Sequence, residues 1–162
     1  MSARDISWYS SRDGSPDPMS FPVTATQTFL EGEPTVLVAA GTLSEASDDP
    51  ASITGIAAHR STDIDSASFG VGRRITVYRN TPGQVFRTQN FSTDGAGTAA
   101  TPTLSNIGDA AGFTFTGGVW SLDTGTGNLL CRILDVLDSQ GQSLSDPHLL
   151  TGTGSIVLFE FI

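Results

Sequence analysis

The chain has 162 residues, which is enough for one domain with a sizeable core. Eight arginines and no lysine stand against 17 Asp and Glu, and the formal net charge of −9 disfavours nucleic acid and acidic membrane surfaces as partners. The single cysteine, Cys131, excludes an intrachain disulfide and a multi-cysteine metal site, and we expect it in the core. No stretch approaches the roughly 18 apolar residues of a membrane span, and no signal-peptide core follows the N-terminus, so we expect a protein of the cytoplasm.

Residues 1–28 differ in composition from the rest of the chain, because Ser, Asp, Arg and Pro dominate and the aromatic residues follow no fixed period. This composition predicts an extended N-terminal arm without a core of its own. Aromatic and arginine side chains are enriched where proteins contact each other. We therefore predict, as contacts to a partner protein or a sister subunit, Trp8, Tyr9, Arg12 and Phe21. Two arrangements remain open: the arm binds a neighbour, or it folds back onto its own domain.

Residues 29–162 are predicted to form one all-β domain, because short β-type runs alternate with Gly, Pro, Asp and Asn, and turn signals recur about every ten residues. No long amphipathic helix is evident, so the fold class is mainly β, a small β-barrel or β-sandwich. The predicted strands are residues 35–39, 42–45, 53–59, 74–79, 84–88, 112–116, 119–122 and 155–162.

Three segments are less regular. The apolar residues of 129–137 fit a helix as well as a strand, and the strands on either side favour a strand. Residues 47–50 (SDDP) are predicted to cap a single helical turn. Residues 92–103 are rich in Thr, Ala and Gly and are predicted to form a mobile loop.

The stretch SLDTGTGNLL, residues 121–130, resembles the active-site loop of pepsin-like and retropepsin-like proteases. Those enzymes need two carboxylates that share a proton, so two copies of Asp123 would have to meet in a dimer. Only 39 residues follow Asp123, and the apolar run near the end contains no glycine for the supporting scaffold. The simpler interpretation is a hairpin, in which residues 123–128 supply the positive-φ and side-chain-capped positions between strands 119–123 and 129–134.

The sequence contains no motif specific enough to predict a catalytic, cofactor-binding or metal-binding residue. His59 and His148 are expected in turns or on the surface. Asp63 and Asp65 form a DxD pair, which lacks the Gly and Glu of a calcium loop. The sequence therefore favours a protein that is not an enzyme and carries no cofactor.

Two longer stretches resemble the capsid decoration (cement) proteins of bacteriophages. The first is FLEGEPTVLVAAGTLSEASDDPASITGIAAH, residues 29–59, with a Gly-Glu-Pro strand, a Gly turn, an Asp-Pro segment and an Ile-x-Gly-Ile-Ala strand. The second covers residues 107–162 and includes IGDAAGFTFTGGVWSLDTGTGNLL and the closing strand SIVLFEFI. The chain departs from the compact members in the N-terminal arm and in an insertion at residues 73–103.

The resemblance implies that residues 29–162 are a β-tulip-like decoration domain of a virion protein that is assembled in the host cytoplasm. Such proteins bind the major capsid protein on the outer surface of the head as homotrimers and stabilise the contacts between capsomers. The alternatives are a receptor-binding or glycan-binding β-domain of a tail fibre and, more remotely, a retropepsin-like aspartic protease that uses Asp123.

Overall fold

The structure is a computed structural model that describes residues 6–12, 15–24, 30–39, 41–58, 74–148 and 153–162. Apart from a short 3₁₀ helix at Leu104–Asn106, the regular structure of these residues is entirely β. The strands are β1 (Ile6–Ser11), β2 (Pro18–Pro22), β3 (Pro34–Leu37), β4 (Leu43–Glu45), β5 (Gly55–Ala57), β6 (Arg74–Arg79), β7 (Gln84–Thr88), β8 (Phe91–Ser92), β9 (Ala110–Thr116), β10 (Val119–Asp123), β11 (Cys131–Leu137) and β12 (Ile156–Phe161). The predicted mainly-β class is confirmed.

The strands form two sheets, neither of which is closed. The larger sheet has the order β1-β7-β12-β11-β9-β10-β8, and the smaller has the order β2-β6-β5-β3-β4. All neighbours are antiparallel except β8 and β10. Strand β9 is shared: Ala110 and Ala111 pair with β11, whereas its remaining residues pair with β10. The glycines of the β9–β10 hairpin, Gly117 and Gly118, both have positive φ, as a tight two-residue turn requires.

The main core lies between the sheets and is dominated by phenylalanine. Four rings of the larger sheet, those of Phe86, Phe113, Phe159 and Phe161, lie with centroids 5.3 to 6.0 Å apart. Ile56 of the smaller sheet joins this cluster. Such aromatic contacts add to the free energy gained from burying apolar area.

A second, smaller cluster lies on the other face of the smaller sheet. Its buried members are Val23, Leu43, Ala57, Ile75 and Val77. Residues 74–79 alternate between the two faces of the sheet, because Ile75 and Val77 share this face while Tyr78 packs against the main core. An isolated bridge between Val23 and Leu43 brings the two outer strands of the curled smaller sheet together.

Most predicted strands coincide with observed ones, and residues 131–137 form a strand, as favoured. The helical turn predicted at residues 47–50 is wrong, since these residues form a bend in which Asp49 has φ 45°. The Asp49 amide donates to the Phe113 carbonyl, and the Asp48 carboxylate accepts from the Phe115 amide. The segment thus occupies the side of β9 that β11 leaves unpaired.

The described part of residues 1–28 lies within the two sheets. Strand β1 pairs with β7 at one edge of the larger sheet, and β2 pairs with β6 at one edge of the smaller. Of the two arrangements left open for this segment, the described residues adopt the one in which it folds back onto its own domain.

We predict that Gly112→Ala lowers the free energy of unfolding by about 2 to 3 kcal/mol, because a Cβ at this position would overlap the Asn128 carbonyl oxygen. The control is Gly127→Ala, whose Cβ would meet only the Asp49 side chain, at 3.3 Å, and which we expect to cost about 1 kcal/mol or less. Urea unfolding of both variants measures the difference. Equal losses would contradict the close approach of β9 to the residues after β10.

Candidate functional site

The predicted contact residues of the N-terminal segment do not act as one surface. Trp8 faces inward: its Nε1 donates to Gln84 Oε1 at 2.8 Å, and its ring lies 6.2 Å from that of Tyr78. A cavity of about 90 Å³ beside Trp8 is lined by Ile6, Ser7, Trp8, Glu31, Ile56, Ala57 and Tyr78. Phe21 is half-buried and packs against the smaller cluster. Trp8 and Phe21 therefore bind the segment to its own domain.

Tyr9 and Arg12 face outward. The register of β1 on β7 shifts between Trp8 and Ser10, so Tyr9 is the additional residue of a β-bulge and is exposed. The Arg12 side chain is 76% exposed, and its Nη2 lies 3.3 Å from Glu160 Oε2. These two side chains are the members of the predicted set that remain accessible to a partner.

Two polar contacts that the sequence did not indicate hold the connection between β1 and β2. Asp17 accepts from Arg79 Nε at 2.9 Å, from Arg79 Nη2 at 2.8 Å and from the Thr81 hydroxyl at 2.9 Å. Gln84 is buried, and its Nε2 donates to the Ser15 carbonyl. An Asp-Pro pair at residues 17 and 18 signals a turn, but nothing local to it indicates an arginine 62 residues away.

Asp123 is fully buried, and its carboxylate accepts four hydrogen bonds. Oδ1 accepts from the amides of Gly125, at 2.7 Å, and Gly95, at 3.1 Å. Oδ2 accepts from the Gly97 amide and the Thr114 hydroxyl, at 3.2 and 3.3 Å. The carboxylate thus joins its own turn, the loop after β8 and strand β9.

Asp94 completes this arrangement from the solvent side. Its Oδ1 accepts from the amides of Ala96 and Thr98, which alternate along the chain with the two glycine amides bound to Asp123. The loop at residues 94–98 is therefore hydrogen-bonded on both sides, and the prediction of a mobile loop did not foresee this. The signal available in the sequence was Asp94-Gly95, a common turn pair.

The hairpin predicted around residues 123–128 is wrong. Strands β10 and β11 are not neighbours, because both pair with β9. Neither Gly125 nor Gly127 has positive φ. The predicted side-chain cap is present as the Asp123 bond to Gly125, and on the other side Asn128 donates its amide and its Nδ2 to Asp49.

This geometry gives no support to the protease interpretation, because the Asp123 oxygens face donors of the same chain and not solvent. The described residues include no group of three or more His, Cys, Asp or Glu side chains placed to bind a metal ion. His148 is exposed in a turn, as expected, whereas His59, Asp63 and Asp65 lie outside the described residues. Cys131 is buried, as predicted, and burial raises the pKa of its thiol.

We predict that Asp123→Ala lowers the free energy of unfolding by about 3 kcal/mol or more, because three backbone amides and the buried Thr114 hydroxyl lose their acceptor. The matched control is Asp138→Ala, which removes an acceptor from the amides of Gln140 and Gln142 in an exposed turn and should cost about 1 kcal/mol. Chemical denaturation at pH 7 tests both. A loss at Asp123 no larger than that at Asp138 would refute its structural role.

Stability should also depend on pH through two aspartates. Hydrogen bonds from Thr98, Ala96 and Ser92 hold the pKa of Asp94 well below its ordinary value of 3.8, and the Arg79 guanidinium, with the Thr81 hydroxyl, lowers the pKa of Asp17. A lowered folded-state pKa stabilises the folded state above the unfolded value and loses that contribution as the pH falls below about 4.

We therefore expect the free energy of unfolding to fall on acidification from pH 5 to pH 2, and to fall less in the variant Asp17→Asn/Asp94→Asn. Urea titrations across this range measure the slope. Identical slopes for the variant and the unmodified chain would show that these two groups do not couple to folding.

Among the described residues there is no helix with the length and apolar character needed to cross a membrane. No protein-family model matches the chain, and searches of curated proteins and of solved structures give no match. Two features of the described residues are candidates for a functional site: the outer strands with Tyr9 and Arg12, and the hydrogen-bonded turn around Asp123.

Proposed function

We propose that the chain is a virion structural protein that binds the outer surface of a bacteriophage capsid as a homotrimer and stabilises the contacts between capsomers of the major capsid protein. The proposal starts from the resemblance of residues 29–59 and 107–162 to capsid decoration proteins. In the described parts of these stretches, the quoted turn and strand residues form β3 to β5 and β9 to β12.

The observation that carries the proposal is the position of the N-terminal segment. Strands β1 and β2 are outer strands of the two sheets, and the segment presents Tyr9, Arg12 and Met19 to solvent. Tyr and Arg side chains at accessible positions contribute strongly to protein interfaces. One segment thus offers contacts at an edge of each sheet.

Trimerisation would turn weak contacts into stable binding. A trimer that contacts several coat subunits at once gains affinity from effective concentration, so each contact can be small. The net charge of −9 would also keep the free protein away from packaged or free DNA.

The test is co-sedimentation of the purified protein with heads of the virus that encodes it, prepared without it. Tyr9→Ser should weaken binding to the heads by about tenfold or more, because an exposed aromatic anchor is removed. Leu37→Ser is the matched control, since Leu37 on β3 is 45% exposed, as is Tyr9, and β3 pairs with neither β1 nor β2. Failure to bind heads, or equal loss in both variants, would contradict the proposal.

Two further measurements separate the alternatives. Sedimentation velocity should give a trimer, and a strict monomer at all concentrations would contradict the proposed assembly. Binding to a defined glycan on an array, without binding to heads, would favour the tail-fibre alternative.

A further inference from the structure

Charge is distributed unevenly over the larger sheet. On β7, β11 and β12, alternate side chains such as Phe86, Ile133 and Phe159 point into the main core, so the residues between them form the outer face. We call the outer face of β1, β7, β12 and β11 the arginine face. Its residues in register are Ser7, Ser10, Val85, Arg87, Arg132, Asp135, Leu137, Ile156, Leu158 and Glu160, and the Arg12 guanidinium reaches it through Glu160.

This face holds three of the five described arginines but only two of the 13 described Asp and Glu. The rest of the described chain therefore has two arginines, Arg74 and Arg79, against 11 acidic residues. The face therefore carries a formal charge of +1, whereas the rest of the described chain carries −9, and the two differ in the sign of their charge.

The arginine face also has the chemistry of a contact surface. Arg87 and Arg132 are exposed, and Glu160, which lies opposite Arg132 in the register, is paired with Arg12. On the same face, Leu137, Ile156 and Leu158 form a buried apolar cluster that packs against Val85. Exposed guanidinium groups suit protein interfaces, because they combine flat packing with several hydrogen-bond donors.

Two exposed carboxylates lie at the other end of the same sheet. Asp94 follows β8 and Asp48 accepts from the Phe115 amide of β9, so both lie beside the last three strands in the sheet order, whereas the arginine face covers the first four. We call this region the acidic end. One copy of the chain thus presents complementary charges at opposite ends.

We infer that the arginine face of one copy binds the acidic end of a second copy in a head-to-tail contact. Such a contact uses two different patches, and it closes into a ring when the rotation between copies allows. The inference deepens the proposed function. The number of copies in the ring rests on the proposed trimer, whereas the contact itself is inferred from the distribution of charge.

The test compares Arg87→Glu with Arg74→Glu. The two arginines are matched, because both are exposed and each donates Nε to a serine hydroxyl on the neighbouring outer strand, Ser7 at 3.2 Å and Ser20 at 3.3 Å. By sedimentation equilibrium, Arg87→Glu should raise the dissociation constant of self-association by about tenfold or more and Arg87→Glu/Arg132→Glu should raise it further, whereas Arg74→Glu should leave it unchanged. Thermal unfolding checks that the variants fold. If Arg87→Glu/Arg132→Glu does not fold, Arg87→Gln/Arg132→Gln is measured in its place.

Two measurements probe the partner surface. Self-association of the unmodified protein should weaken as salt rises from low concentration to about 1 M, where the screening length is about 3 Å. Asp48→Asn/Asp94→Asn keeps a carbonyl acceptor for the local amides and removes two charges, so it should weaken self-association while the variant stays folded.

The outcomes separate the inference from the proposed function. A monomer at every soluble concentration, self-association insensitive to salt, or an equal effect of Arg87 and Arg74 would overturn the head-to-tail contact. If the arginine variant keeps self-association but loses binding to heads, the face binds coat protein and the inference is wrong. If self-association depends on Arg87 and Arg132 while the unmodified protein does not bind heads, the inference holds and the proposed function fails.

Discussion

The buried carboxylate of Asp123 is the interaction on which one end of the larger sheet depends. A carboxylate away from water is costly unless donors replace its hydration, and here three amides and a hydroxyl do so. The donors belong to segments that are far apart in sequence. One side chain therefore fixes the turn after β10, the loop after β8 and the middle of β9 relative to one another.

Glycine makes this arrangement sterically possible. A Cβ on Gly125 would lie 2.5 Å from the Gly95 amide nitrogen, so the turn and the loop can share the Asp123 carboxylate only if both backbones approach without side chains. The resemblance to a protease loop has the same origin, because Asp-Thr-Gly is suited to place a carboxylate against backbone amides. In this chain those amides already occupy both oxygens, which is why the motif alone did not reveal its role.

The sequence predicted the boundaries of the strands better than it predicted which strands pair. Strands β6 and β7 have the predicted boundaries, since alternating apolar residues and flanking turn residues are local signals. Pairing is not local. β10 and β11 are consecutive and separated by turn residues, yet β9 is the neighbour of both, because it begins at Ala110 and leaves room for β11 beside its first two residues. Residues 119–137 alone contain no signal that β9 lies between β10 and β11.

The position of the N-terminal segment also depends on contacts that are distant in sequence. Its composition is too polar for a core strand, but an outer strand needs only one paired side and one apolar residue in contact with the core, such as Ile6. The Arg79 and Gln84 side chains that hold it lie more than 60 residues away. Residue type alone could not show which of the predicted contact residues are buried and which are exposed. Trp8 points inward and donates to Gln84, whereas its neighbour Tyr9 is exposed.

The structure of the two outer strands limits how the proposed partner could bind at the sheet edges. The bulge at Tyr9 interrupts the ladder of β1, and Pro18 and Pro22 bound β2, so neither strand offers a long regular edge to an arbitrary chain. Backbone pairing by itself would therefore select poorly and bind weakly at these edges. In the proposed contacts, selection would then come from side chains that the bulge and the neighbouring face expose, namely Tyr9 and the arginines. Their rigid guanidinium groups recognise carboxylates with a geometry that backbone groups alone do not provide.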